Sequence, residues 1–299
     1  MLPSGLRLAS AIVDRRLRRA MPASSWWQED LRGSLSNKDA QLGCKKATRG
    51  PVCSLPQQSV MTSIDNQVVS KQRVADHGEV YTHAREVNAM LDLVKQETDR
   101  IDSRFLEPAC GNGNFLAAIL ERKLCVVEDR YARSQLDYER NVVLAVSSVY
   151  GIDKLQDNVH ECRARLFVLF DSAYSARFKR KAQEACRRAV RFILEQNIVH
   201  GDALKLKTVV GENDVGPPIH FSEWSFARGS FLKRRVFTFR ELMPPNQSET
   251  KSSLFADSEL PLSSDLGGDV FIPTPVREYP MTHFLKVADA DAELLAPFP

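Results

Sequence analysis

Two glycines and two aspartates at the ends of predicted strands are the residues of this sequence best suited to binding a ligand. Gly111 and Gly113 follow a short apolar strand and precede a helix. Glycine permits a sharp turn with positive φ and close approach of a ligand to the main chain, and a helix start offers free N–H groups. Asp153 ends the next strand, where a carboxylate can accept both hydroxyls of a ribose. Asp202 ends the third strand, where a carboxylate can take the exocyclic amine of an adenine. Because the carboxyl ends of parallel strands meet at one edge of a sheet, these residues predict one pocket for an adenosine-containing ligand.

The same turn argues against two common nucleotide-binding motifs. The third glycine of a dinucleotide fingerprint is missing, since position 116 is Leu, and the Lys-Ser/Thr pair of a P-loop is missing too. Asp153 lies 42 residues after Gly111, against roughly 20 in a compact unit; an inserted helix near 134–146 accounts for the excess. We therefore expect neither a nicotinamide dinucleotide nor a nucleoside triphosphate. An interpretation in which these residues only cap helices and close turns stays open.

Hydrophobic periodicity places these residues in alternating strands and helices. Apolar residues recur at helical spacing from Val87 to Val94, and the other predicted helices are 115–123, 134–146 and, as one or two helices, 155–196. The predicted strands are 104–111, a range that includes the turn at its end, and 149–153, 197–202 and 219–221. Strands that alternate with helices predict an α/β fold with a doubly wound, mostly parallel sheet.

Composition divides the chain into three parts. Residues 1–60 have no sustained hydrophobic periodicity, so we expect a disordered extension. The functional start can also be placed at Met61, after this extension. An Arg-rich targeting helix over Leu6–Ala20 is an alternative for this part. The folded domain is predicted to cover 61–243, with an edge strand at 236–239. Residues 244–299 are predicted to be a linker rich in Ser, Pro and acids, followed by short strands at 270–272 and 283–287.

Composition also limits the class of protein. The chain of 299 residues is 43% apolar and 26% charged, which is typical of a soluble globular protein. It has no run of roughly eighteen or more apolar residues, so no membrane span is expected. The six cysteines show neither a C-x-x-C pair nor His/Cys ligand spacing, which predicts no metal site and reduced thiols in a cytoplasmic protein. Residues 1–60 carry a net charge of +6 and the remainder −3, so any DNA affinity must come from local patches.

The glycine turn carries a resemblance to a known family. The segment Phe105–Leu116, FLEPACGNGNFL, closely resembles the cofactor motif of DNA adenine-N6 methyltransferases, above all modification subunits of type I restriction systems and fused restriction–modification enzymes. Asn112 replaces a Thr that is usual in this turn. Upstream, Gly78–Thr82 resembles the segment that contacts the methionine end of the cofactor, with His83 where Pro is usual. Tyr150–Asp153 and 197–204 are similar to the next two motifs in order, so the resemblance covers residues 73–224.

This resemblance implies a Rossmann-like, class I S-adenosylmethionine-dependent methyltransferase fold with S-adenosylmethionine as the cofactor. Asp153 would hold the ribose and Asp202 the adenine, with Tyr81 and Thr82 at the methionine end. The implied cofactor-binding residues are Tyr81, Thr82, Glu107, Pro108, Ala109, Gly111, Gly113, Asn114, Phe115, Asp153 and Asp202.

The catalytic motif departs from the family pattern. The family carries [DNS]-P-P-[YFW] after its fourth strand, where the polar residue accepts hydrogen bonds from the target amine and the aromatic ring stacks on a flipped base. This sequence has Phe221-Ser222-Glu223-Trp224, without the prolines. We assign Ser222, Glu223 and Trp224 as the catalytic residues that face the substrate base. A core aromatic at the end of the sheet is the alternative for Trp224.

Two groups of basic residues are candidates for contact with DNA phosphates. The first group is Arg177, Lys179, Arg180, Lys181, Arg187, Arg188 and Arg191. The second group is Arg228, Lys233, Arg234, Arg235 and Arg240. We expect phosphate contact from the second group because it follows the proposed catalytic loop, and a solvated helix face from the first.

The leading hypothesis is a DNA methyltransferase-like protein, of the adenine-N6 type, from a restriction–modification-like system. Only 75 residues follow Trp224, so we expect a specificity or restriction subunit to read the target sequence. One alternative is a catalytically inactive cofactor-binding or assembly subunit of the same fold. Another is a methyltransferase that acts on RNA or a small molecule, because likeness of fold does not determine the substrate.

Overall fold

The central sheet contains four parallel strands followed by an antiparallel hairpin. A computed structural model of the chain describes residues 7–8, 73, 82–211, 214–242, 262–263, 270–271 and 273–290. The strands lie side by side in chain order: β1 (Arg7–Leu8), β2 (Phe105–Glu107), β3 (Val149–Asp153), β4 (Ile198–Asp202), β5 (Lys207–Val210) and β6 (Asp214–Pro218). Pairing is parallel from β1 to β4 and antiparallel from β4 to β6. The predicted α/β class with a mostly parallel sheet is therefore confirmed.

Helices link the parallel strands, as the periodicity predicts. They are α1 (Ala84–Asp92), α2 (Lys95–Thr98), α3 (Asn114–Tyr131), α4 (Gln135–Ser147), α5 (Gln156–Phe178) and α6 (Glu184–Asn197). Helix α4 begins at the predicted place because the Ser134 hydroxyl accepts a hydrogen bond from the N–H of Asp137 (3.3 Å), which caps the helix. A 3₁₀ turn at Lys179–Lys181 divides the long stretch after β3, so that stretch forms two helices.

The two faces of the parallel sheet are covered by different layers. Because side chains alternate along a strand, Phe105 and Val149 face the helices and join the larger apolar core. Leu106 and Tyr150 face the opposite side and pack against Phe221 in a smaller core. That second layer is formed by a β-hairpin and by Phe239, from the short helix that follows the hairpin. The doubly wound arrangement of the sheet stays a prediction.

A second, antiparallel sheet supplies this hairpin. The remaining elements are β7 (His220–Arg228), β8 (Phe231–Thr238), α7 (Phe239–Leu242), β9 (Leu262–Ser263), β10 (Val270–Phe271), β11 (Arg277–Glu278) and β12 (Thr282–His283). Strand β8 pairs with β7 on one side and with β11 and β12 on the other, so the segment predicted as an edge strand is central.

The predicted fourth parallel strand is also corrected. Its residues 219–221 lead into β7 of the hairpin, which lies outside the central sheet. Strands β7 and β8 are joined by a short turn at Gly229, whose φ is 52°. A connection this short favours antiparallel pairing, since a parallel crossover needs roughly a dozen residues.

The two ends of the chain are described only in part. Of the extension predicted over 1–60, the structure describes Arg7–Leu8, which pair with β2; the boundaries at 61 and 243 stay predictions. The predicted strand at 270–272 corresponds to β10, which pairs with β9. The predicted strand at 283–287 is mostly a 3₁₀ turn, Phe284–Lys286, after β12. None of the described helices combines the length and the apolar character needed to cross a membrane.

Candidate cofactor site

The glycine turn between β2 and α3 has the conformation that the sequence predicts. Gly111 and Gly113 have φ values of 50° and 87°, in the left-handed region that favours glycine. A Cβ atom on Gly113 would lie 2.7 Å from Sγ of Cys162, so α5 leaves no room for a side chain there. Because Gly113 is the N-cap of α3 and has no side chain, the N–H groups of the first helical turn are left to a ligand or to water.

Asp153, at the end of β3, is bonded directly to this turn. Its Oδ2 accepts a hydrogen bond from the N–H of Gly111 at 2.8 Å. Its Oδ1 accepts from the N–H of Leu155 at 2.9 Å and from the side-chain amide of Asn158 at 3.3 Å. A carboxylate has about four acceptor sites, so acceptor capacity remains after these three bonds. The acid and the glycine turn therefore form one structural unit.

Asp202, at the end of β4, lies at the same edge of the sheet. Strands β3 and β4 are parallel neighbours, with Asp153 opposite His200. Lys154, the residue after Asp153, places its Nζ 3.3 Å from Oδ2 of Asp202. The two strand-end acids are thus linked through Lys154, as the predicted convergence on a single edge requires.

The Asp202 carboxylate also closes the turn between β4 and β5. Its Oδ1 accepts from the N–H groups of Leu204 (2.9 Å) and Lys205 (3.1 Å). Burial acts to raise the pKa of Asp202, but the N–H of Lys205, the ammonium of Lys154 and the N–H of Leu204 outweigh it, so the pKa lies below its ordinary value. Asp202 is therefore held ionised. Closing this turn is a structural role that agrees with the alternative kept open from the sequence.

The other predicted cofactor residues are placed around the same turn. Asn114 donates from Nδ2 to the carbonyl of Thr82 at 3.3 Å, which places Thr82 at the start of α3. Glu107 is buried at the end of β2, and Phe115 packs against the larger core. Pro108 is half-buried and Ala109 is exposed. Tyr81 lies outside the described residues.

Helix α5 supplies three contacts to the turn that sequence reasoning missed. Cys162 packs under Gly113, and a hydrogen bond between Cys162 and Cys110, together with burial, raises the pKa of the Cys110 thiol well above its usual value. Nη1 of Arg165 lies 2.6 Å from Oδ1 of Asn114. Glu161 accepts from the amide of Asn112 at 3.5 Å. The only signal in the sequence is that these residues share one face of a helix, and that spacing does not say which element they contact.

Ser222, Glu223 and Trp224 are not brought to this edge of the sheet. The N–H of the Trp224 indole donates to Oδ1 of Asn197 at 2.9 Å, immediately before β4. Glu223 pairs with Arg104, immediately before β2, at 2.7 Å. Both partners precede their strands, so Glu223 and Trp224 lie at the amino ends of the strands, whereas the glycine turn and the two acids lie at the carboxyl ends.

The contacts of these three residues are those of a packed interface. Trp224 and Ser222 are buried, and Arg234 lies over the indole ring and donates from Nε to the Ser222 hydroxyl at 2.9 Å. Arg235 forms a second ion pair with Glu223. These contacts favour the alternative that Trp224 is a core aromatic. The assignment of the three residues to a substrate base stays a prediction.

Several residues of both basic groups are buried or form ion pairs within the protein. In the second group, Arg234 is buried, Arg235 pairs with Glu223, and Lys233 pairs with Glu278 at 3.1 Å. Most of the first group is also paired, including Arg187 with Asp171. The three cations of the 3₁₀ turn Lys179–Lys181 are exposed and have no carboxylate within 4.0 Å among the described residues.

A parallel sheet with a glycine turn and two strand-end acids at one edge is typical of proteins that bind an adenosine-containing cofactor. Residues 81–213 match the family model described as MmeI, DNA-methyltransferase domain. This match supports a DNA methyltransferase-like domain of the restriction–modification type. The matched segment contains the glycine turn, Asp153 and Asp202, and it ends before Ser222. No curated protein and no solved structure matches the chain.

Proposed function

We propose that this chain carries a Rossmann-like, S-adenosylmethionine-binding domain of a DNA adenine-N6 methyltransferase that works in a restriction–modification system. The observation that carries the proposal is the 2.8 Å hydrogen bond from the Gly111 N–H to Asp153. It joins the glycine turn and the first strand-end acid within the segment that matches a DNA-methyltransferase domain. DNA is then the proposed substrate, and a specificity or restriction subunit is the proposed partner.

The residues at this edge fit the proposed cofactor. Gly113 has no room for a side chain, and two left-handed glycines expose the main chain where the methionine part would lie. Asp153 retains acceptor capacity for the two ribose hydroxyls. Asp202 is held ionised next to it, as an acceptor for the adenine amine. Tyr81 and Thr82 would contact the methionine end.

When bound, the cofactor supplies an electrophilic methyl group on a sulfonium. The protein's part in such a displacement is mainly to hold the two reactants in line. In this chain the turn, Asp153 and Asp202 would fix the direction of the methyl group relative to the sheet edge. The target base would approach from the solvent side of that edge.

A second candidate function is a cofactor-binding subunit of the same fold without transferase activity. The position of Ser222, Glu223 and Trp224 favours it, because these residues hold the hairpin at the amino ends of the strands. Under this alternative the groups that contact the target base come from a partner chain. Both candidates predict the same cofactor site.

Two measurements test the proposal in turn. Titration calorimetry with S-adenosylmethionine should give a binding isotherm for the wild type and a much weaker one for Asp153→Ala, with Asp99→Ala, an exposed residue, as the control. Transfer of a tritiated methyl group to mixed genomic DNA then separates the two candidates. If the wild type gives no heat of binding with S-adenosylmethionine, both candidate functions are overturned. Binding without transfer, alone and with candidate partner subunits, would overturn the enzyme and leave the cofactor-binding subunit.

A further inference from the structure

Arg165, on the third turn of α5, is a half-buried cation at the cofactor turn. Its Nη1 lies 2.6 Å from Oδ1 of Asn114 and 3.5 Å from Oδ1 of Asn112, so neutral amides of the turn are its hydrogen-bond partners. Within the described part of the chain, no carboxylate lies within 4.0 Å of the guanidinium. Glu161 and Glu121 are the acids that act on it from farther away.

An arrangement of this kind has a free-energy cost that a ligand can offset. Burial lowers the pKa of the Arg165 guanidinium, because the charged group has lost part of its hydration. Half-buried cations are usually paired with an anion. A guanidinium presents five N–H donors in a planar fork that matches a carboxylate, and the two amide contacts use only part of them.

The position of Arg165 is fixed by its helix. Cys162, one turn earlier on α5, lies so close to Gly113 that a Cβ atom there would be 2.7 Å from its Sγ, so the helix is packed tightly against the turn. The amide of Asn114 that receives Arg165 also donates to the carbonyl of Thr82. Arg165 is therefore held where the glycine turn, the start of α3 and Thr82 meet.

We propose that Arg165 forms the binding site for the α-carboxylate of the cofactor's amino-acid end, through the N–H donors that its contacts with Asn112 and Asn114 leave unused. This inference rests on the proposed function, since it places the methionine end beside Thr82. It adds to the proposed site a residue of α5 that lies outside every motif found in the sequence. It also names the ligand group that this residue binds, which is a carboxylate. The positive end of the α3 dipole adds to the same attraction.

The test compares two ligands that differ in the carboxylate. S-adenosylmethionine has the amino-acid end, and 5′-methylthioadenosine keeps the adenosine and the methylthio group without it. In the full chain, Arg165→Gln should weaken binding of S-adenosylmethionine about ten- to a hundredfold, the range for a lost charge-assisted hydrogen bond. Binding of 5′-methylthioadenosine should change less than about twofold. Arg165→Lys should recover part of the loss, and Arg180→Gln, an exposed arginine of the 3₁₀ turn, should change neither affinity.

The possible outcomes separate this inference from the proposed function. If both ligands weaken equally in Arg165→Gln, the residue acts through the fold of the turn and the inference is overturned. If neither weakens, Arg165 does not meet the ligand and the inference is again overturned, while the proposed function stands. If the wild type binds neither ligand, the proposed function fails and this inference with it. Thermal unfolding of each variant identifies a folding defect. If Arg165→Gln does not fold, the two ligands are compared on Arg165→Lys instead.

Discussion

A Cβ atom on Gly113 would lie 2.7 Å from Sγ of Cys162, and the φ of Gly113 is 87°. Glycine is thus required at this position by the backbone conformation and, separately, by the packing of α5 against the turn. Gly229 provides a natural comparison, because its φ is 52° and nothing lies within 4 Å of a Cβ atom built there. The two positions allow the two requirements to be measured separately.

We expect Gly113→Ala to destabilise the protein more than Gly229→Ala. A left-handed φ costs a side chain about 1–2 kcal/mol, and this is the whole expected effect at Gly229. At Gly113 the overlap with Cys162 adds to it, so the loss should reach about 3 kcal/mol or more. Urea unfolding of the two variants measures the difference.

A Cys162→Ala background supplies the control for this prediction. Removing Sγ should recover part of the loss in Gly113→Ala and none of the loss in Gly229→Ala. Equal losses at the two glycines would show that packing against α5 contributes nothing.

Trp224→Phe should destabilise the fold and leave the cofactor site intact. The substitution removes the indole N–H and leaves Oδ1 of Asn197 buried without its donor, which costs about 1–3 kcal/mol. Because Trp224 lies at the amino ends of the strands, affinity for S-adenosylmethionine should change less than about twofold. Urea unfolding and calorimetry on the same sample measure both quantities. A stable variant that binds cofactor normally but loses methyl transfer would instead support a base-stacking role.

Lys123 should make stability depend on pH. Its ammonium is fully buried and donates to the carbonyls of Ile101 and Ser103 and to the Ser148 hydroxyl. Burial lowers the pKa of Lys123 from 10.5 to about 7. Between these two values the unfolded chain binds a proton that the folded chain does not, so raising the pH in this window favours the folded state.

The free energy of unfolding of the wild type should therefore rise from pH 7 to pH 8.5, relative to Lys123→Met. The slope of this difference is at most about 1.4 kcal/mol per pH unit. Urea unfolding of both proteins at several pH values measures it, and the subtraction removes the contributions of thiols and tyrosines that are common to both. Parallel pH profiles for the two proteins would contradict the prediction.

The exposed cations of the 3₁₀ turn between α5 and α6 should contribute to DNA affinity. The turn lies against the start of α4, where Gln135 donates to the carbonyl of Lys181 at 2.8 Å. We expect Lys179→Glu with Lys181→Glu to weaken binding of duplex DNA. The slope of log affinity against log salt should fall in magnitude by about 2, since each phosphate contact contributes about 0.9.

The matched control for that prediction is Lys95→Glu with Lys286→Glu. This pair makes the same change in net charge at exposed residues of α2 and of the segment after β12. It should affect DNA binding much less. Equal effects of the two pairs would mean that net charge, and not the location of the turn, governs the affinity.

The sequence alone determined the part of the site whose conformation is local. Gly111 and Gly113 predict a left-handed turn because other residues rarely adopt that φ, and apolar runs that end in Asp153 and Asp202 predict strand ends. The rule that parallel strands share a carboxyl edge then brings the two acids together. The structure agrees, with Lys154 linking them at that edge.

Tertiary structure alone decided where β7 lies and what reaches the turn from α5. The alternation of β7 predicts a strand, but it does not say whether that strand joins the parallel sheet or forms a hairpin with β8. The sequence leaves the position of Trp224 open for this reason, because that position depends on a buried hydrogen bond to Asn197. Helical spacing likewise puts Cys162 and Arg165 on one face of α5 without naming the element that this face contacts. Periodicity fixes the direction of a side chain relative to its own backbone, whereas its partners depend on how separate elements pack, and that is decided by contacts distant in sequence.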